Sequence, residues 1–164
     1  MPACDPSAPG YPKSAGGADM MYLGIDPGRK GAFCLFDKNE MSVQTFDMPD
    51  TLAGVHHLLA ALPVVRGCII EKPFYPRMVG TTTVAVMAEN YGALKSALLW
   101  LDIGCHEVRP GEWKKALNLG PLKTESRNKA SQIFPGNADQ WARVKDDGRA
   151  EAALIAWYGH GKIK

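Results

Sequence analysis

The sequence contains no apolar run long enough to cross a bilayer. Its longest stretch free of Asp, Glu, Lys and Arg, Thr51 to Val65, still carries His56, His57 and Pro63 and falls short of the ~20 residues that a spanning helix needs. Close cysteine pairs are missing too. Cys4, Cys34, Cys68 and Cys105 are scattered along the chain, without the short spacings of zinc sites or redox motifs, so they are expected to be reduced, mostly buried thiols. The first twenty residues hold four prolines and three glycines but no apolar core of a secretory signal, and the expected location is cytoplasmic. Charge of one sign is scarce: 19 Lys and Arg against 17 Asp and Glu leave a formal +2, too little by itself to announce a nucleic-acid partner.

What is present is an ordinary globular composition. With 46% hydrophobic and 22% charged residues over 164 positions, disordered and fibrous classes are excluded, and the length suits one domain with a buried core. Residues 1–19 are small, polar and aperiodic, and read as a flexible leader. The folded domain is expected over 20–164.

Met21 to Ile25 is a short apolar strand ending at the Asp26-Pro27-Gly28 turn. Gly31 to Phe36 and Met41 to Phe46, joined by the polar Asp37 to Glu40, extend it into an antiparallel trio. Leu52, Val55, Leu58, Leu59 and Leu62 recur at helical spacing before Pro63. Gly67 to Ile70 is a buried strand running into Glu71. A long helix is expected over Thr81 to Leu101, a fifth strand over Gly104 to Val108, and helices over Glu112 to Leu117, Thr124 to Phe134 and about Asp147 to Tyr158. The pattern is α/β: a mixed five-stranded sheet with helices on both faces.

Carboxylates close several of these apolar elements. Asp26 ends Tyr-Leu-Gly-Ile, Glu71 ends Cys-Ile-Ile, and Asp147 and Glu151 open the helix that continues Ala-Ala-Leu-Ile-Ala-Trp157. Residues four apart on a helix lie about 40° apart on the wheel, so Asp147 and Glu151 share a face and repel one another. Asp146, about 140° from Glu151, is expected to point to solvent, and Arg149 lies on another side. A cation is needed between the pair, and a divalent metal with hard oxygen ligands supplies one. Four carboxylates converging from two strands and a helix are what a two-metal phosphodiester hydrolase requires, with ions roughly 3.5–4 Å apart.

Gly24-Ile-Asp-Pro-Gly28 with Gly31, Ile69-Ile-Glu71, and Asp147 with Glu151-Ala-Ala-Leu-Ile-Ala156 resemble the acidic motifs of RuvC-type Holliday-junction resolvases, in the ribonuclease H-like superfamily. Phe74 resembles the aromatic with which that family wedges open a junction. Gly92 looks like its close-packing glycine in the long helix. Val108-Arg-Pro with Trp113-Lys, Lys123 and Ile133-Phe-Pro135 is similar to the phage-associated branch. The spacing of four between the last two acids, the second a glutamate, departs from the two aspartates three apart in many bacterial members.

The resemblance implies a ribonuclease H-like fold over about residues 21–160 and an endonuclease that cleaves Holliday junctions and related branched DNA, leaving 5′-phosphate ends. It implies two Mg2+ per active site, with Mn2+ as a substitute: Asp26 shared between the ions, Glu71 on one, Asp147 and Glu151 on the other. A four-way junction has two symmetry-related strands, so paired incision implies a homodimer, in a bacterial cell or a phage-infected host. Between Glu107 and Arg149 nine Lys and Arg face six Asp and Glu, which makes this segment, with Arg109, Lys114, Lys115, Lys123 and Arg127, the expected DNA-contacting surface. Two rivals stand beside this reading: a catalytically silent junction-binding module, and an actin- or sugar-kinase-like phosphate-binding domain, whose first phosphate loop Gly24 to Gly31 also resembles. His56-His57 and Cys105-His106-Glu107 are weak as sites, because neighbours in sequence face different ways.

Overall fold

The computed structural model describes residues 20–75, 78, 80–120 and 122–163; the expected leader and Cys4 lie outside the described residues. Five strands form one sheet: β1 (Met21–Asp26), β2 (Ala32–Asp37), β3 (Ser42–Asp47), β4 (Gly67–Glu71) and β5 (Cys105–Val108). Their order is β3-β2-β1-β4-β5. The first three are antiparallel neighbours, while β1, β4 and β5 run parallel. The helices are α1 (Leu52–Ala61), α2 (Thr81–Trp100), α3 (Pro110–Ala116), α4 (Lys123–Ile133) and α5 (Asp147–Gly159), with 3-10 turns at Pro135–Trp141, Val144–Asp146 and His160–Lys162. Among the described residues no helix is long and apolar enough to cross a membrane.

The period-two alternation of the strands divides the core in two. Leu23, Ile25, Phe33, Cys68 and Ile70 face α1 and α2. Tyr22, Cys34, Phe36 and Ile69 face the other way, onto α5 and the residues Trp113, Ala130 and Phe134 of the α3–α4 region. Helix α1 begins where Thr51 Oγ1 accepts from the Gly54 N–H at 3.1 Å, a side-chain cap for an otherwise orphaned donor. Cys34 and Cys68 are buried thiols as expected, but Cys105, beside Cys68 in register at the sheet's edge, is exposed.

Helix α5 is the central covering element. Its Ala152, Ala153, Leu154, Ile155 and Ala156 are wholly buried, and its small residues let it settle directly on β1. A Cβ added at Gly24 would stand 2.6 Å from the Ala156 Cβ, closer than carbon atoms pack. Gly24 is therefore a glycine that close packing demands. Gly92, expected in that role, has nothing within 4 Å of the point a Cβ would occupy, because its stretch of α2 lies at the surface.

Candidate active site

Strand alternation aims the first two carboxylates. Asp26 follows Gly24 by two on β1 and Glu71 follows Ile69 by two on β4, so both point to the α5 side. The parallel register pairs Ile25 with Ile70, and one step further sets Asp26 beside Glu71 at the carboxyl ends of adjacent strands. From α5 come Asp147, 8% exposed, and Glu151, one turn on and half-buried.

Burial pushes the Asp26 carboxyl up to about 6; the Gly28 N–H, donating to its Oδ1 at 3.0 Å, opposes this, and the charge of Glu151 adds to it. Burial likewise pushes Glu71 up to about 7, with the charges of Asp26 and Glu151 contributing and the Trp113 indole opposing. These carboxylates thus feel one another across three elements. Lysines partly answer them. Lys114 Nζ lies 2.9 Å from Glu151 Oε1, and Lys123 Nζ pairs with Asp147 Oδ2, a contact that raises the lysine's own pKa. The cation that the Asp147/Glu151 pair was expected to need is here supplied from α3 and α4. Among the described residues no three His, Cys, Asp or Glu side chains already form an ion cage, but the donor set consists of hard carboxylate oxygens, the chemistry Mg2+ selects.

Asp146 departs from expectation. It is 6% exposed and held by Arg143, whose Nε and Nη2 donate to its two oxygens at 2.8 and 2.9 Å. The physical reason is that Asp146 belongs to the 3-10 turn Val144–Asp146 and only caps α5, so a wheel angle measured along α5 does not apply to it. Its carboxyl is held below its ordinary value by Arg143. Arg149 turns away from Asp147 and Glu151, as its wheel position implied, and forks onto Asp47 of β3 at 2.6 and 2.7 Å.

Of the other expected contacts, Phe74 is 72% exposed on the loop after β4. It lines a groove of about 580 Å³ with Asp26, Glu71, Thr82, Thr83 and Asn90, and a second, of about 570 Å³, with Arg109 and Pro110. Arg109, Lys115 and Lys123 are exposed, and Arg127 is half-buried. His56, His57 and His106 are exposed and, among the described residues, belong to no metal-ligating cluster. Two residues near the carboxylates escaped the sequence reading as participants: Trp113, whose Nε1 donates to Glu71 Oε2 at 2.6 Å, and Ser126, 2% exposed, whose Oγ donates to Glu151 Oε1 at 3.1 Å. The Trp113-Lys114 pair stood in the motif that resembles the phage-associated branch; nothing in the sequence marked Ser126.

No family model matches the chain, and no curated protein matches it. Solved structures do. Thermus thermophilus RuvC superposes with a TM-score of 0.60 at 15% identity, covering 87% of this chain and 96% of that one. The T. thermophilus RuvC structure in complex with Holliday junction substrate gives 0.59 with the same identity and coverage. The yeast mitochondrial Holliday junction resolvase Ydc2 gives 0.52 at 18% identity, covering 92% of this chain and 83% of that one. The chain therefore has the RuvC fold, the ribonuclease H-like mixed sheet anticipated from its sequence.

Proposed function

We propose that a protein of this fold, with these four carboxylates, is a structure-specific endonuclease that cuts branched DNA, the four-way junction first among its substrates. The observation that carries the reading is that Asp26 and Glu71, at two adjacent strand ends, and Glu151 of the covering helix feel one another's charge, with Asp147 linked to them through Lys123. Such a collection of acid in a half-buried site is costly to the fold, and an acyl- or phosphoryl-transfer nucleophile is not needed to explain it. The structural likeness to a RuvC captured with its Holliday junction substrate supports the choice of DNA.

In this reading Asp26, Glu71, Asp147 and Glu151 would hold Mg2+, with Mn2+ able to replace it. Bound there, two such ions would lower the pKa of the attacking water and offset charge on the departing 3′ oxygen, leaving 5′-phosphate ends. The chain's own groups do the rest. Asp26, tied to the Gly28 N–H, keeps its carboxylate oriented between the β4 and α5 acids. Lys114 and Lys123 hold Glu151 and Asp147 in place and put positive charge where a phosphate must approach. Arg109, Lys115 and Arg127 extend that charge for backbone contacts, and exposed Phe74 offers a ring on which an unpaired base can stack. Paired incision of a four-way junction calls for two copies of the site, hence a homodimer. Such an enzyme works where cellular or phage DNA recombines, in the cytoplasm.

The test is a nicking assay on four-way, three-way and linear DNA, with and without Mg2+, using the natural chain and Asp26→Asn. Mg2+-dependent incision of the branched substrates is expected, lost in Asp26→Asn while junction binding persists. Junction binding with no incision under any condition would make the chain a silent binding module, and incision of linear DNA at an equal rate would remove the branch specificity.

A further inference from the structure

We infer that Trp113 is a positioning residue for Glu71, its indole N–H fixing one carboxylate oxygen so that the other is presented for metal binding. The inference rests on the endonuclease reading and deepens it. Trp113 is wholly buried, and its Nε1–H, which can only donate, reaches Glu71 Oε2 at 2.6 Å. Among the described residues Glu71 Oε1 has no donor. A glutamate at a strand end has three rotatable bonds, and a tether on one oxygen removes much of that freedom before any ligand arrives.

The tether comes from a well-placed element. Val108 stands beside Glu71 in the β4–β5 register, and α3 begins two residues later at Pro110, whose ring suits a first helical turn. The next residue after Trp113, Lys114, reaches Glu151 at 2.9 Å and stands 5.1 Å from the Trp113 ring. Helix α3 thus grips one acid of β4 and one of α5, two elements whose carboxylates share no backbone ladder. A buried tryptophan in this fold does not require a carboxylate: Trp141, equally buried, donates to the neutral Ser131 Oγ at 2.9 Å. The pairing of Trp113 with an acid is therefore a choice specific to the site, of the kind by which outer partners orient metal ligands elsewhere.

The experiment replaces Trp113, and separately Trp141, by β-(3-benzothienyl)alanine, which keeps the bicyclic shape and puts sulfur in place of the N–H. Binding of Mn2+ alone to the full chain is followed by the loss of the free-ion electron paramagnetic resonance signal, melting temperature is measured without metal, and four-way junction cleavage is titrated with Mn2+. Replacement at 113 is expected to weaken Mn2+ binding by roughly 10–100-fold and to shift the metal requirement of cleavage by a like factor. Replacement at 141 should lower the melting temperature comparably and leave Mn2+ binding unchanged. Equal Mn2+ affinity in the 113 analogue and the natural chain, or equal weakening by both analogues, overturns the inference while the endonuclease reading stands. A natural chain that neither binds Mn2+ nor cuts a junction overturns both.

Discussion

Raising the pH of the metal-free protein from 5 to 8 should destabilise it, and replacing Asp26 and Glu71 by their amides should remove that loss. In the unfolded chain the two carboxyls ionise at their ordinary values of 3.8 and 4.5, but in the fold they hold their protons to about 6 and about 7. Between pH 4 and 7 the folded state therefore binds more protons than the unfolded one, and stability falls as pH rises. At about 1.36 kcal/mol per pKa unit, each carboxyl costs the fold about 3 kcal/mol once ionised. The two costs add, because the repulsion between the carboxyls enters only the shift of Glu71, which ionises second. For a chain of this size about 2–4 °C accompany each kcal/mol, so the melting temperature should drop by roughly 10 °C between pH 5 and 8. Urea unfolding across that range, for the natural chain and for Asp26→Asn with Glu71→Gln, is the assay. The double variant should match the natural chain most nearly below pH 4, where both carboxyls are protonated in either state, and exceed it increasingly as pH rises, by several kcal/mol at pH 8. Mg2+ should restore the natural chain's stability at pH 8 far more than at pH 5, since binding needs the ionised form. A natural chain as stable at pH 8 as at pH 5, with the double variant no better, would refute the claim that burial and mutual repulsion strain these acids.

Three further outcomes can be checked. Asp147→Asn should impair junction cleavage far more than Asp146→Asn, because Asp147 is shared with Lys123 at the site whereas Asp146 is taken up by Arg143; parallel nicking rates decide it, and a reversed ranking would misplace the start of α5. Phe74→Ala should keep its melting temperature, since the ring is 72% exposed, and lose junction opening to the extent of a base stack worth ~1–3 kcal/mol; a fluorescent junction-opening assay beside a thermal melt separates this from a core role, whose truncation would cost ~3–5 kcal/mol. Gly24→Ala should destabilise by ~1–3 kcal/mol or more, because its Cβ would stand 2.6 Å from that of Ala156; an unchanged denaturation midpoint would mean that α5 does not seat on β1 as described.

The elements and the carboxylates were legible from local pattern alone. Apolar runs of four or five residues stopped by Asp-Pro-Gly or Glu-Lys-Pro specify strands with an acid at the end, and two residues' alternation decides which face each acid takes, so Asp26 and Glu71 could be named from the chain itself. Periodicity likewise placed Asp147 and Glu151 on one side of α5. Each of these is a short-range property, set by backbone geometry within a few residues. Tertiary structure decided everything that depends on what lies opposite. The cations answering the α5 acids come from α3 and α4, more than twenty residues away in sequence, and Trp113 reaches Glu71 across forty-two positions. The chain's entry into α5 through a 3-10 turn buried Asp146, which a wheel drawn from sequence had sent to solvent. Gly24 rather than Gly92 proved to be a glycine that packing needs, because the docking of α5 onto β1 brings a second backbone within reach of its missing side chain. Local propensity acts along the chain; partners for a buried charge, and the space around a Cα, exist only once the chain has folded back on itself.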